Sequence, residues 1–153
     1  MKINIISVGK IKESYFIDGI EEYRKRITKY SNIELITVAD ESNDLDEKTV
    51  KKKEGERILA KIPNNSYTIV LDLGGKELDS VEFAKKIDEI TNISSTINFI
   101  IGGSLGLDKE VIDRANYRLS FSKFTFPHKL MKLILLEQIY RAFKINNNES
   151  YHK

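Results

Sequence analysis

Tyr67-Thr68-Ile69-Val70-Leu71-Asp72-Leu73 is a nearly continuous apolar run. A strand with one wet face alternates polar and apolar residues, so this run predicts a strand buried on both faces, as in a parallel sheet with helices above and below. Gly74-Gly75-Lys76 is expected to close it. Downstream, Asp79 followed by Glu82 has the spacing of a capping box, with Phe83, Ile87 and Ile90 as the buried stripe of the next helix. A further strand over 97–101 runs into Gly102-Gly103-Ser104-Leu105-Gly106. Asp108 then caps a short helix carrying Val111, Ile112 and Ala115. Residues 119–122 read as a fifth strand, 124–128 as an irregular link, and 130–145 as a helix apolar on nearly every side. Such a helix must be buried between the sheet and something else.

Upstream of the run, β-branched residues over 2–8 predict a strand ending at Gly9. Phe16, Ile20, Tyr23, Ile27 and Tyr30 recur at helical spacing over 14–30, with Glu21, Glu22, Arg24, Lys25 and Arg26 on the wet side. A short strand over 33–38 follows, then an acidic loop to Glu47 and a charged helix over 47–61 with the thin stripe Val50, Ile58 and Ile62. Strands alternating with helices give an α/β layered fold with a parallel sheet, whose ligands sit at the carboxyl ends of the strands.

At 153 residues, with 41% hydrophobic and 31% charged residues and only 8 Gly and 2 Pro, the chain is expected to form a single domain over 1–153. It has no cysteine, which removes disulfides, thiolate metal sites and cysteine nucleophiles. No metal is expected. No stretch approaches the roughly 18 apolar residues of a membrane span, so no membrane partner and a cytoplasmic location are expected.

The net charge of +2 hides a split. From Tyr117 onward seven basic residues (Arg118, Lys123, Lys129, Lys132, Arg141, Lys144, Lys153) face two acids (Glu137, Glu149), a surplus of five, so the remainder of the chain carries a deficit of three. The basic quarter suits a polyanion whose phosphates release counterions on binding.

If the sheet is parallel, three strand ends converge: residues 71–76, 102–106 and 122–128. Gly102 and Gly103 let a ligand approach the backbone closely. The Gly-rich stretch is neither a Walker loop, lacking Gly-Lys-Ser/Thr, nor a dinucleotide fingerprint, lacking its spacing. His128 and His152 are proton acceptors near neutral pH, or respectively a structural hydrogen-bonder and part of a frayed end. Arg141 lies in the apolar helix and needs an acceptor; Glu137, four residues earlier, offers an internal ion pair, and a substrate anion is the alternative.

Taken together, these boxes resemble the bacterial large-subunit pseudouridine N-methyltransferases of the SPOUT (α/β-knot) class. The likeness runs through Val8-Gly9-Lys10, Lys53-Glu54-Gly55-Glu56, Leu71-Asp72 with Gly75-Lys76, Ile101-Gly102-Gly103 with Gly106-Leu107, Leu119-Ser120 to Thr125-Phe126-Pro127-His128, Glu137-Gln138-Ile139-Tyr140-Arg141-Ala142, and Tyr151-His152-Lys153. The resemblance implies a C-terminal trefoil knot, which periodicity does not show and general connection rules oppose. It implies S-adenosylmethionine as methyl donor, bound by Leu71, Gly103, Lys123, Phe124, Thr125, Phe126, Pro127 and His128. It implies methylation of ring nitrogen 3 of a pseudouridine in 23S rRNA, on assembled ribosomes and not on DNA, by a homodimer. In that reading Arg141, His128 and His152 are the catalytic candidates, and Arg141, Tyr151, His152 and Lys153 meet the substrate. The sequence does not choose between His128 and His152 as proton acceptor, with Arg141 steadying the ring anion. Two other readings compete: a non-catalytic rRNA-binding assembly factor, and a phosphate-ligand hydrolase using residues 102–106. The hydrolase lacks a catalytic lysine or an acidic metal pair.

Overall fold

A computed structural model describes residues 1–42 and 44–153. Among the described residues ten elements alternate: β1 (Lys2–Val8), α1 (Ser14–Thr28), β2 (Asn32–Val38), α2 (Glu47–Leu59), β3 (Tyr67–Glu77), α3 (Ser80–Thr91), β4 (Thr96–Ile101), α4 (Lys109–Arg114), β5 (Tyr117–Ser120) and α5 (His128–Asn146). The strands form one sheet in the order β2-β1-β4-β3-β5, and every pairing is parallel. The α/β parallel-sheet architecture expected from the sequence is therefore present.

The continuous apolar strands are explained by cover on both faces. Ile3 and Ile5 of β1, Ile69 and Leu71 of β3, and Ile97, Phe99 and Ile101 of β4 pack under α1, α3 and α5. Their alternates Ile6, Val8, Val70 and Ile100 pack under α2 and α4 with Ile58, Leu107 and Val111. Each fully buried isoleucine contributes about 2 kcal/mol of transfer free energy. The second face is not purely apolar. Near the amino ends of the strands, Asn4 Nδ2 donates to Asn98 Oδ1 (2.9 Å), and Asn98 Nδ2 donates to Ser66 Oγ (2.8 Å) and Thr68 Oγ1 (3.2 Å). This polar ladder crosses three strands inside the sheet.

Helix α5 lies between α1 and α3, which accounts for its apolar sides: Leu135, Leu136, Ile139, Ala142 and Phe143 are buried against them. The capping box of α3 forms as expected, Asp79 accepting from the Glu82 amide and Glu82 from the Asp79 amide.

Two expectations need correction. Gly74-Gly75-Lys76 does not end β3: the strand bulges after Leu71 and resumes at Lys76, both of which pair with Leu119. The reason is close approach, because a Cβ on Gly75 would stand 2.7 Å from the backbone carbon of Arg118. Only glycine lets β3 pass there. β5 occupies Tyr117–Ser120, two residues earlier than 119–122, since Ser122 belongs to a turn: its Oγ accepts from the Phe124 amide (3.0 Å) and its carbonyl from Ser120 Oγ (3.0 Å).

Candidate functional site

The bulge of β3, the end of β4 and the link from β5 to α5 meet around a cavity of about 670 Å³. Leu71, Asp72 and Leu73 come from β3, residues 101–107 from the end of β4, and Ser120, Phe121, Ser122 and residues 124–128 from the link, with Met131 of α5 as a further apolar wall. Of the three stretches expected to converge, 102–106 and, apart from Lys123, 122–128 line the cavity, whereas 71–76 contributes only Leu71, Asp72 and Leu73, at the bulge within β3. Phe124 is 78% exposed at the rim, and Leu73 and Leu105 are exposed beside it, so the mouth is apolar as well as the interior.

The turn after β4 shapes the floor. Gly103 and Gly106 bridge one another, the Gly106 amide donating to the Gly103 carbonyl (3.0 Å), with Gly106 at a φ of +85° that disfavours other residues. A Cβ on Gly103 would lie 3.1 Å from Glu54 Oε1 and 3.2 Å from Val8 Cγ1, so the absent side chain lets this turn pack closely against α2 and β1.

Across Gly103, Ser104 and His128 lies a smaller, polar chamber of about 280 Å³, with Val8, Gly9, Asp40, Glu41, Ser42, Val50 and Glu54 as its other walls. Glu41 is neutralised by Arg57 (3.2 Å) and Lys53 (3.8 Å). Glu54 is buried, and its Oε2 accepts from the Glu41 amide (3.0 Å).

His128 opens α5 directly after Pro127 and lines both spaces. Burial, reinforced by the neighbouring Lys129 charge, holds its imidazole below the ordinary histidine range, so it is neutral at pH 7. One turn on, Lys132 is buried with its ammonium donating to Ser7 Oγ (3.1 Å), and burial lowers its pKa as well. Lys129 ties the start of α5 to Glu13 (2.6 and 2.9 Å).

Of the expected donor-binding residues, Leu71, Gly103, Phe124, Thr125, Phe126, Pro127 and His128 line the large cavity. Lys123 is exposed and falls outside the lining. Arg141, Tyr151, His152 and Lys153 are elsewhere. Arg141 follows His128 by 13 residues on α5, about 20 Å along a helix axis. There its Nε and Nη2 reach Glu137 Oε1 (2.9 and 2.6 Å), its Nη1 lies 3.1 Å from His152 Nδ1, and its guanidinium stacks on the Tyr151 ring. Tyr151 also packs edge-on against Tyr140 and donates to Glu137 Oε1 (3.3 Å). Burial and the adjoining Tyr23 hydroxyl push its phenol up to about 12. Glu149 anchors the start of this segment through Tyr30 (2.9 and 3.0 Å) and Lys144 (2.9 Å). The tail is docked on its own helix at Tyr151, while His152 and Lys153 are exposed.

A family model described as "Predicted SPOUT methyltransferase" matches residues 1–152. The chain belongs to the SPOUT methyltransferases. Full-length SPOUT relatives include the "Ribosomal RNA large subunit methyltransferase H" of Clostridioides difficile (strain 630), 54% identical over 100% of both chains, and that of Enterococcus faecalis (strain ATCC 700802 / V583), 48% identical over the same share. A relative from Methanococcus maripaludis (strain C5 / ATCC BAA-1333) carries the same description, marked putative, at 52% identity over 100% of both chains. Among solved structures, a probable methylase family protein from Haemophilus influenzae Rd KW20 superposes with a TM-score of 0.54 at 17% identity, covering 99% of this chain and 70% of that one. That likeness supports the SPOUT fold alone.

The acidic chamber and Glu54 were not among the residues singled out from sequence as site residues. Glu54 sits in Lys51-Lys52-Lys53-Glu54-Gly55-Glu56-Arg57, where charge on both sides hides a buried position. The available signal was Gly55: a glycine inside a helix marks close packing, and a Cβ there would lie 3.1 Å from Asp108.

Proposed function

We propose that the chain uses S-adenosylmethionine to methylate ring nitrogen 3 of a pseudouridine in 23S rRNA, acting in the cytoplasm on the assembled ribosome as a homodimer. The observation that carries the reading is the large cavity between the β3 bulge, the end of β4 and the link after β5, whose residues fit such a donor. An apolar interior suits an adenine ring, and the Gly103 backbone is part of its lining. Leu71, Gly103 and residues 124–128 would hold it, and the bound donor supplies an activated methyl group on a sulfonium. The trefoil knot implied by the resemblance is part of the same proposal. The relatives named above for acting on large-subunit rRNA support the substrate, as does the basic surplus of the last quarter.

The chain's own contribution is positioning and proton handling. The acceptor N–H must lose its proton as the nitrogen gains a methyl group. His128 presents a neutral imidazole at the edge of the cavity and can take that proton. Arg141 can steady the ring anion, but lies too far along α5 to serve its own cavity. A second protomer bringing its Arg141, Tyr151, His152 and Lys153 across a two-fold axis completes the site.

Calorimetry with S-adenosylmethionine, followed by methylation of assembled ribosomes with and without prior pseudouridylation, tests the proposal. Donor binding with transfer only to the pseudouridylated ribosomes is the expected result. Absence of donor binding, alone and with ribosomes, would leave the non-catalytic assembly-factor reading.

A further inference from the structure

His152 meets a partner that can only donate. Its Nδ1 lies 3.1 Å from Arg141 Nη1, and a guanidinium in a protein keeps all its protons. The imidazole must therefore hold a lone pair on Nδ1. Its proton is on Nε2, because the two nitrogens of an imidazole take opposite roles. Arg141 is not free to turn away from this contact. Glu137 Oε1 accepts from its Nε (2.9 Å) and Nη2 (2.6 Å), and from the hydroxyl of Tyr151 (3.3 Å), whose ring lies against the guanidinium. Glu137 Oε2 accepts from Gln138 Nε2 (2.9 Å), and Gln138 Oε1 accepts from Ser80 Oγ at the start of α3 (2.6 Å). A chain of hydrogen bonds from α3 through α5 to the tail thus aims Nη1 at His152 Nδ1.

A histidine acts as a base through its lone pair, and the one lone pair of this ring faces an N–H. Protonating Nδ1 would set two donors against each other. Nε2–H is on an exposed residue, has no partner among the described residues and can only donate. Resting on the shared-site reading above, we infer that His152 is a hydrogen-bond donor to the target base and not the acceptor of its proton. The receiving atom follows from the base itself. Ring nitrogen 3 of a uracil-type base stands between two carbonyl groups, so the charge left when its proton departs spreads onto their oxygens. An N–H held at one of those oxygens acts most strongly as that charge develops. In the balanced step the N–H bond breaks and its proton passes to His128, the base proposed above. The nitrogen's electron pair forms the bond to the methyl group, and the C–S pair returns to sulfur. Arg141, with its remaining N–H groups beside His152, serves the same anion.

Methyl transfer to assembled ribosomes by intact His152→Gln and His152→Ala proteins, with kcat and KM measured across the neutral pH range, tests this. Glutamine carries an N–H where the imidazole has Nε2 but cannot take up a proton. His152→Gln should keep kcat within about tenfold of the wild type and the same pH profile. His152→Ala should lose about a hundredfold to a thousandfold in kcat with KM nearly unchanged, the range for one donor to a developing oxyanion. The chain has 2 histidines, so spectra of nitrogen-labelled histidine, assigned with His128→Gln, read the ring protons directly. At about pH 8, above the ordinary histidine range, the His152 proton should be on Nε2. A proton on Nδ1 overturns the inference. So does a His152→Gln protein as inactive as His152→Ala, which would make His152 the base. Full activity of both variants, or a raised KM at unchanged kcat as for a phosphate contact, overturns it as well. A wild-type chain that binds no S-adenosylmethionine or transfers no methyl group to ribosomes would instead overturn the methyltransferase reading, while the ring spectra still report on His152.

Discussion

Arg141 and Glu137 are joined at two points across one turn of α5, with Nε at 2.9 Å and Nη2 at 2.6 Å from the same carboxylate oxygen. The ion pair expected from their spacing is therefore present, yet it does not use up the guanidinium. Nη1 remains near His152, and the planar face lies on Tyr151. Arg141→Ala should cost about 1 kcal/mol of stability, as for other partly exposed pairs. Donor affinity should stay the same while methyl transfer to ribosomes is lost, the signature of an interaction made at the transition state. Calorimetry beside a ribosome assay checks this; a variant that merely unfolds would return Arg141 to a structural role.

Removing residues 151–153 takes away Tyr151 from Arg141 and Tyr140 but leaves the Glu149 anchor in place. The truncated chain should remain a dimer in sedimentation equilibrium, bind S-adenosylmethionine and fail to methylate ribosomes. Full activity, or a monomer for the intact chain, contradicts the shared site.

Gly103→Val should weaken S-adenosylmethionine far more than it lowers the melting temperature. Its Cβ would meet Glu54 Oε1 at 3.1 Å and Val8 Cγ1 at 3.2 Å, side-chain contacts that a small shift relieves, at a residue that lines the cavity. Unchanged affinity in a folded variant would remove Gly103 from the donor site.

Gly75→Ala acts on the fold instead. The added Cβ would stand 2.7 to 2.8 Å from the backbone of Arg118 and Leu119, which cannot rotate away as a side chain can. A loss of roughly 1–3 kcal/mol by urea denaturation is expected, the usual cost of overpacking.

His128 gives stability a pH dependence. Burial and Lys129 depress its folded-state pKa below the ordinary histidine value of about 6.5, so the unfolded chain takes up a proton more readily. The stability it contributes is fully present above about pH 6.5 and is lost as the pH falls from there through the folded value. His128→Gln should flatten that part of the curve in urea titrations between pH 8 and 5. An unchanged slope would assign the effect to other groups.

Much of the fold was legible because apolar continuity and helical spacing are local signals. The doubly covered strand at Tyr67, the α1 stripe from Phe16 to Ile27 and the Asp79 cap all follow from their neighbours in sequence, although Tyr30, expected to close that stripe, lies past the helix end at Thr28. The continuation of β3 past Gly74-Gly75 was not legible, since the same dipeptide serves a turn or a close crossing; what decides is β5, more than forty residues away in sequence. Lys132 and Glu54 were hidden for opposite reasons. One is a charge in an apolar helix that looks as if it should reach solvent, and the other is a buried acid in a helix that looks wholly solvated. The cavity walls were readable from a parallel sheet with ligands at its strand ends, except that residues 74–76 lie outside the lining, and the separation of His128 from Arg141 follows from the single helix expected over 130–145.

The ladder of Asn4, Asn98, Ser66 and Thr68 has a consequence for how the sheet is assembled. Ile-rich parallel strands are nearly interchangeable under sliding: shifting β4 by two residues against β1 would still set isoleucine beside isoleucine. It would not set amide beside amide. A misaligned strand would leave two asparagine side chains in an apolar layer without partners, at roughly 1–3 kcal/mol for each unsatisfied group. The ladder works as a key at one end of the strands, rejecting wrong alignments. The loops at the other end are thereby brought level with one another, at the end where Gly103, Leu71 and His128 must meet.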